Sequence, residues 1–273
     1  MTNRESFSSP RITLLGTGNA GVTKCYNTCF LLEDAGQLLL VDAGGGNRIL
    51  GQLESVGVDI TDIHDIFVTH KHIDHLLGVV WLVRMACQKM VRSGYTGHLT
   101  IYGHDEVIGL LTDMTQRLLD RGALIGRQLH FVEVRDGETL TIAGREITFF
   151  DIRSTKAKQF GFTLRLSNGK KLTCCGDEPY ATHEEPYAAG SDWLLHEAFC
   201  LFSEADRFKP YQKAHSTVKD ACEVAARLQI PNLVLYHTED KNLARRKELY
   251  SQEGRSYYAG KLYIPDDLET IEL

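Results

Sequence analysis

Val68-Thr69-His70-Lys71-His72-Ile73-Asp74-His75-Leu76-Leu77-Gly78 holds three histidines and an aspartate within six positions, in the pattern H-x-H-x-D-H. Imidazole nitrogen and carboxylate oxygen are the usual ligands of zinc and similar divalent ions. The residues in front, Ile66-Phe67-Val68-Thr69, are apolar and β-prone, and the run from Leu76 to Val83 reads as a buried helix. The cluster therefore sits where a strand becomes a helix. His70 and His72 are expected on one side of an extended turn, and Asp74 and His75 on the next bend. Two pairs of ligands would then face two adjacent cations. The alternative is a polar loop with chance histidines; ligand type and spacing together argue against it.

Working outward, residues 11 to 42 alternate strands and turns. Residues 46 to 57 read as a helix with Ile49, Leu50, Leu53 and Val56 on one face. Further helices are predicted at 76 to 92 and at 105 to 121, the latter with Val107, Leu110, Leu111, Met114 and Leu118 in step. Residues 129 to 151 and 160 to 177 read as strands, with turns at Asp136-Gly137 and Asn168-Gly169. A helix over 217 to 228, begun by Ser216 or Thr217, precedes a strand at 232 to 236. Strands in two batches, each followed by helices, predict an α/β fold with two sheets face to face and helices outside. This is an αββα four-layer sandwich. No linker, repeat or low-complexity segment interrupts it, so residues 1–273 are expected to form one domain.

Composition sets outer bounds. Hydrophobic residues make up 43% and charged residues 24% of the chain, as in ordinary globular proteins. No stretch approaches the roughly 20 apolar residues of a membrane span, and the first residues lack an apolar signal core. A cytoplasmic protein is expected. The seven cysteines are scattered and odd in number, which fits buried free thiols in a reducing compartment. Net charge is −6, whereas proteins that live on nucleic acid usually carry a basic surplus. Basic groups around Arg117, Arg121 and Arg127, and at Arg245-Arg246-Lys247, read as solvated helix faces; one of them could hold a substrate phosphate.

The H-x-H-x-D-H cluster looks like the signature of the metallo-β-lactamase superfamily, and other segments resemble that family in the expected order. Ile12-Thr13-Leu14-Leu15-Gly16-Thr17-Gly18 resembles the first strand and turn. Leu39-Leu40-Val41-Asp42-Ala43-Gly44 resembles the motif whose aspartate orients a ligand histidine. Leu172 to Asp177 matches the strand ending in a bridging aspartate, and Leu233 to His237 the strand ending in the last ligand histidine. Leu194-Leu195-His196-Glu197-Ala198 and Ala214-His215-Ser216-Thr217 resemble segments of ribonuclease Z-like phosphodiesterases. One departure stands out. The family's additional metal histidine, a few residues before a Gly-aromatic pair, has no counterpart in Asp151 to Phe162, where Ser154 or Thr155 occupies the place. Asp151, a serine oxygen, water, His64 or His183 are the candidate substitutes, or only one cation binds tightly.

The resemblance implies two divalent ions, zinc or manganese, with His70 and His72 on the first and Asp74, His75 and His237 on the second. Asp177 would bridge them. Two such cations lower the pKa of a shared water towards neutrality, and the resulting hydroxide attacks phosphorus. His215, oriented by Glu197, is the expected general acid, and Asp74 a possible proton acceptor. His196 is expected to be structural. The hairpin between Phe162 and Thr173 leaves no room for the long flexible arm of tRNA-processing members. With the acidic balance, this favours a small phosphodiester, such as a cyclic nucleotide, over a folded RNA. A tRNA 3′-processing endonuclease is the alternative, and a non-catalytic metal-binding sensor a third reading. The resemblance also implies a homodimer.

One decoy needs rejecting. Gly16-Thr17-Gly18-Asn19-Ala20-Gly21 satisfies G-x-G-x-x-G after a strand. A dinucleotide site also needs a helix starting at those glycines, and Val22 to Leu32 is too β-branched and aromatic to supply one.

Overall fold

The computed structural model describes residues 9–273. Among them are two seven-stranded sheets. The first contains β1 (Arg11–Gly16), β2 (Cys29–Asp34), β3 (Gln37–Val41), β4 (Asp65–Phe67), β5 (Leu99–Gly103) and β6 (Leu129–Glu133), closed at the β1 edge by β14 (Glu269–Glu272). The second runs from β7 (Thr139–Ile142) through β8 (Arg145–Asp151), β9 (Phe160–Arg165), β10 (Lys171–Cys174), β11 (Trp193–Glu197) and β12 (Asn232–Tyr236) to β13 (Lys261–Tyr263). Strands β3 to β6 are mutually parallel, as are β10 to β13. Their C-terminal ends collect at one edge of each sheet, where α/β folds usually place their ligands.

Alternation along the strands explains the layers. In β3, Leu39 and Val41 enter the core between the sheets, whereas Leu40 faces the other way. In β12, Val234 points between the sheets and Leu233 and Leu235 point outward. Phe67, Phe149 and Phe162 lock the inter-sheet core, with Phe67 and Phe149 ring centroids 4.8 Å apart. Both outer faces are apolar too, so each must be covered. The first takes α1 (Arg48–Ser55), α2 (Ile73–Arg92) and α3 (Asp105–Arg117), which bury Ile49, Leu53, Val79, Leu82, Val83 and Leu111. The short α4 (Glu185–Ala188) and α5 (Ala205–Phe208) lie in the loops around β11. The second outer face is covered by α6 (Val218–Arg227), capped by Thr217, and α7 (Arg246–Gly254). The four-layer αββα sandwich is as expected.

Several boundaries differ from the sequence reading. Helix α2 begins at Ile73, so Asp74 and His75 occupy its first turn instead of a preceding bend. In its second turn Gly78 packs its backbone against the Asp42 loop; a Cβ there would lie 1.8 Å from the Ala43 carbonyl oxygen. Helix α3 ends at Arg117, short of the expected residue 121. The span 129 to 151 is three strands, and the residues after Gly21 stay irregular until β2, with no helix for a dinucleotide. All seven cysteines are free and buried. No helix among the described residues is long and apolar enough to cross a membrane.

Candidate metal centre and proton relay

Four strand ends and the start of α2 deliver the site. His70 follows β4 by three residues and Asp177 follows β10 by three, while Glu197 ends β11 and His237 directly follows β12. Asp42 and His237 both hold a left-handed backbone, φ 55° and 58°. Such conformations are uncommon away from glycine and persist where neighbours enforce them. Around His237, Thr238 exchanges backbone hydrogen bonds with the β1 turn, 2.9 Å to the Thr17 carbonyl and 3.0 Å from the Asn19 amide. Arg246 fixes this corner. Its guanidinium is fully buried and donates to Thr17, Thr238, the Pro265 carbonyl and Asp266. The expected solvated helix face at 245 to 247 is therefore corrected at its middle residue: Arg246 is a buried tie.

Asp74, His75, His237 and Asp177 converge tightly. The Nε2 atoms of His75 and His237 lie 3.4 and 3.5 Å from one Asp74 oxygen, and 3.5 and 3.4 Å from one Asp177 oxygen. All four side chains are buried. Neither Nε2 has a hydrogen-bond partner among the described residues, nor does the second Asp177 oxygen. Buried orphan nitrogens facing two carboxylates are costly unless something fills the space between them. A divalent cation with nitrogen and oxygen ligands fits. Asp42 braces the arrangement, accepting at 2.7 Å from His75 Nδ1 and at 2.8 Å from both the Thr69 amide and its hydroxyl. Such an outer contact fixes which ring nitrogen points at a metal. Burial opposes charge on His75, yet Asp74 and Asp42 hold its pKa well above the ordinary value. Burial likewise works against the Asp74 anion, but the surrounding imidazoles bring its carboxyl far below the usual range.

His70 and His72 form the second, looser locus. His70 Nε2 is 3.7 Å from Asp177, with its Nδ1 held 2.9 Å from the Thr69 hydroxyl. His72 is half-buried and its Nδ1 lies 2.8 Å from His70 Nε2, so the two rings contact each other. His70, His75 and Asp177 present atoms close enough to share an ion, and so do Asp74, His75 and His237. His72 belongs to neither grouping. The missing histidine has no structural replacement among the described residues. Thr155 is exposed, and Ser154 donates its hydroxyl to Glu178 at 2.5 Å. Asp151 accepts from the Arg153 amide, His64 lies against the His98 ring and carbonyl, and His183 sits in a short turn over 182 to 184. None of these joins a cluster able to hold a metal.

Beside the cations' place stands the pair singled out from sequence. His215 Nδ1 lies 2.8 Å from Glu197 and 3.0 Å from the Asp177 carbonyl, and its ring stacks on Phe199 at 4.8 Å. Glu197 also accepts from the Ser216 amide at 2.6 Å. Burial, helped by nearby Lys156, lowers the His215 pKa to about 4. Burial raises that of Glu197 to about 8, against the pull of His237. Burial therefore disfavours the charged form of both members of the pair. His196 points away from the site, to the Glu197 carbonyl at 2.7 Å, in keeping with a structural place.

His72, Asp74, Asp177, His215 and His237 line a cleft of about 530 Å³ together with Ala20, Ile73, Lys71, Lys156 and Lys213. The three lysines escaped the sequence reading. Lys71 and Lys156 pair with Glu106 and Glu178, and Lys213 lies over the Phe199 ring at 4.9 Å. The signal was present: Lys71 falls inside the histidine cluster, and Lys213 lies two residues before His215.

Comparison with known proteins agrees with this architecture. The protein is similar to the ribonuclease Z of Thermococcus sibiricus, 26% identical with 96% of each chain covered. The metallo-β-lactamase fold protein YhfI of Bacillus subtilis superposes with a TM-score of 0.78 at 18% identity, covering 97% of this chain and 99% of that one. Human tRNase Z, short form, gives 0.71 at 20% identity over 96% and 98%. A family model described as "Anti-Pycsar protein Apyc1" matches residues 10–256. With that match spanning most of its length, the chain belongs to this family, within the ribonuclease Z-like branch of the metallo-β-lactamase superfamily.

Proposed function

We propose that this metal-dependent hydrolase of the metallo-β-lactamase fold cleaves a small phosphodiester, such as a cyclic nucleotide. The observation that carries the reading is the Glu197–His215 pair, set on the wall of the cleft that also holds the His/Asp cluster. A departing alkoxide needs a proton, which a positioned imidazole supplies. Lys71, Lys156 and Lys213 at the mouth give an anionic substrate a favourable field in a chain of net charge −6.

Divalent ions held by Asp74, His75, His237 and Asp177, and by His70 with His72, would polarise a phosphoryl oxygen and acidify water. Zinc or manganese suits the donor set. The chain's own groups do the rest. Asp42 and Thr69 orient His75 and His70. Asp74, kept anionic by its neighbours, can ligate a cation. His215, whose Nδ1–H is held by Glu197 and the Asp177 carbonyl, passes a proton from Nε2 to the leaving oxygen. Lys213 and Lys156 hold phosphate charge against the opposite wall.

A second reading, tRNA 3′-end processing, is favoured by the curated relatives, which carry the name Ribonuclease Z. Against it, β9 and β10 are joined by a tight turn over residues 166 to 170, with no arm among the described residues. We also read the protein as a cytoplasmic homodimer. Ile73 and Trp81 on α2, Leu110 on α3 and Leu118 just after it are exposed apolar groups, and sedimentation of the full chain tests the dimer. The deciding experiment is hydrolysis of a cyclic-mononucleotide panel beside a precursor tRNA, with zinc or manganese and with His72→Ala protein as control. Cleavage of small diesters alone is the expected result. Cleavage of the tRNA alone would replace this reading with the second, and activity on neither would sink both.

A further inference from the structure

The far end of α2 carries a group of cations that the catalytic cleft does not use. Arg84, Gln88 and Arg92 stand four residues apart along the helix and share one face. Leu119 and Arg121, from the segment after α3, close the other side of a small recess of about 50 Å³. Arg84 and Arg92 are exposed and Arg121 is half-buried. The Arg121 guanidinium donates to the Asp120 carbonyl at 3.0 Å, which fixes its position near the recess.

No carboxylate among the described residues pairs with Arg84, Arg92 or Arg121. Neighbouring cations differ: Arg117 holds Asp113 at 2.6 Å and Lys89 holds Asp59 at 3.4 Å. Three converging guanidiniums without a counter-charge repel one another, an unusual arrangement in a chain of net charge −6. Guanidinium forks match the oxygens of phosphate in pairs, and the Gln88 amide adds a further donor. A terminal phosphate carries nearly two charges and three free oxygens, more than a diester offers. By helix rise, Arg84 and Arg92 lie about 15 and 27 Å along the axis from Asp74. A ligand here is not the group being cleaved.

We propose that this recess is a second anion site, which binds a dianionic phosphate: inorganic phosphate or a phosphomonoester. That class includes the product of the hydrolysis proposed above, although the binding does not rest on that reading. The test is thermal unfolding of metal-free Asp177→Asn protein, in which the cleft is disabled, titrated with inorganic phosphate and separately with a 5′-mononucleotide. At about twenty times Kd, a saturable rise in Tm of roughly 3 °C is expected. The rise should vanish when Arg84→Gln, Arg92→Gln and Arg121→Gln are added. In phosphate-free buffer the added changes should not lower Tm, because they relieve repulsion. Should that protein fail to fold, Arg121→Lys keeps the charge but loses the fork, and should weaken binding roughly 10-fold. A phosphate effect that persists without the arginines, or no effect in the Asp177→Asn protein, overturns the proposal. Arginine-dependent binding of an oligonucleotide alone would also overturn it, and would assign the recess to a nucleic-acid backbone.

Discussion

The two halves of the proposed metal centre are built unequally. Asp74, His75 and His237 are buried, and each meets its neighbours from a fixed element: the first turn of α2 or the end of β12. Outer contacts hold two of them, Asp42 behind His75 and the Thr238–Arg246 corner behind His237. His70 and His72 have less. His72 is half-buried, its ring lies against His70, and Ser154 or Thr155 stands where the resemblance places a third imidazole. Ligand number and outer support both favour the first group. The contrast teaches that one chain can carry a superfamily signature intact in sequence and still offer two cations very different homes.

Replacing the shared ligand is the harshest test of that picture. Asp177 lies within 3.7 Å of imidazoles from both loci. Asp177→Asn is expected to release both ions and lower kcat by roughly 10³-fold or more, as loss of several kcal/mol of metal assistance implies. Metal content by mass spectrometry, measured beside turnover, decides it. Retention of both ions would mean that Asp177 is not the bridge.

The inequality itself is open to titration. Dialysed protein is expected to keep close to one equivalent of zinc or manganese, with a second binding at least about 10-fold more weakly. His237→Ala should lose the retained ion; His72→Ala should keep it and lose the weaker one. Two ions of equal affinity would break the comparison, and full activity with one ion would leave the His70–His72 locus without a catalytic part.

His215→Ala probes the relay instead of the ions. Turnover of diesters with poor leaving groups should fall by roughly 10² to 10⁴-fold, the usual worth of a positioned acid. Esters that release nitrophenolate should react at nearly the wild-type rate, with metal content unchanged. An equal loss on both ester types would remove the acid role.

Sequence made one half of this contrast plain and hid the other. The ligand types are rare enough in that spacing to be read directly, and the strand ends at Asp42, Asp177 and His237 are recognisable by their resemblance to the superfamily's motifs. Strands in two batches, each followed by helices, predicted the layers, and the structure sorts Leu39 from Leu40 accordingly. Support was not legible. Nothing local shows that Arg246 is buried, because its partners, Thr17, Pro265 and Asp266, lie far off along the chain or in irregular segments. The close approach of Gly78 on α2 to Ala43 is a long-range contact that no periodicity encodes. The absent histidine could be seen; that Ser154 would instead serve Glu178 could not.

The smallest effect separates scaffold from ligands. Glu184 is buried behind the β10 end, where the Cys175 thiol meets it two residues before Asp177. One carboxyl oxygen accepts from the Ala181 amide at 2.8 Å and the other has no partner among the described residues. Burial raises its pKa to about 8, against 4.5 in a free chain. The folded state therefore holds this proton more tightly than the unfolded one. Its contribution to stability is complete below pH 4.5, falls as pH rises, and is gone above pH 8. The gap sets an upper bound of about 5 kcal/mol, and relaxation around the charge will reduce it. Glu184→Gln should raise Tm by a few degrees at pH 8.5 and leave it nearly unchanged at pH 5, as thermal unfolding will show. Because Glu184 touches neither locus, the variant should keep the same unequal metal affinities. A shift of equal size at both pH values would mean that the carboxyl stays ionised. A change in the affinity ratio would mean that the inequality resides in the strand end beneath Asp177, not in the ligands themselves.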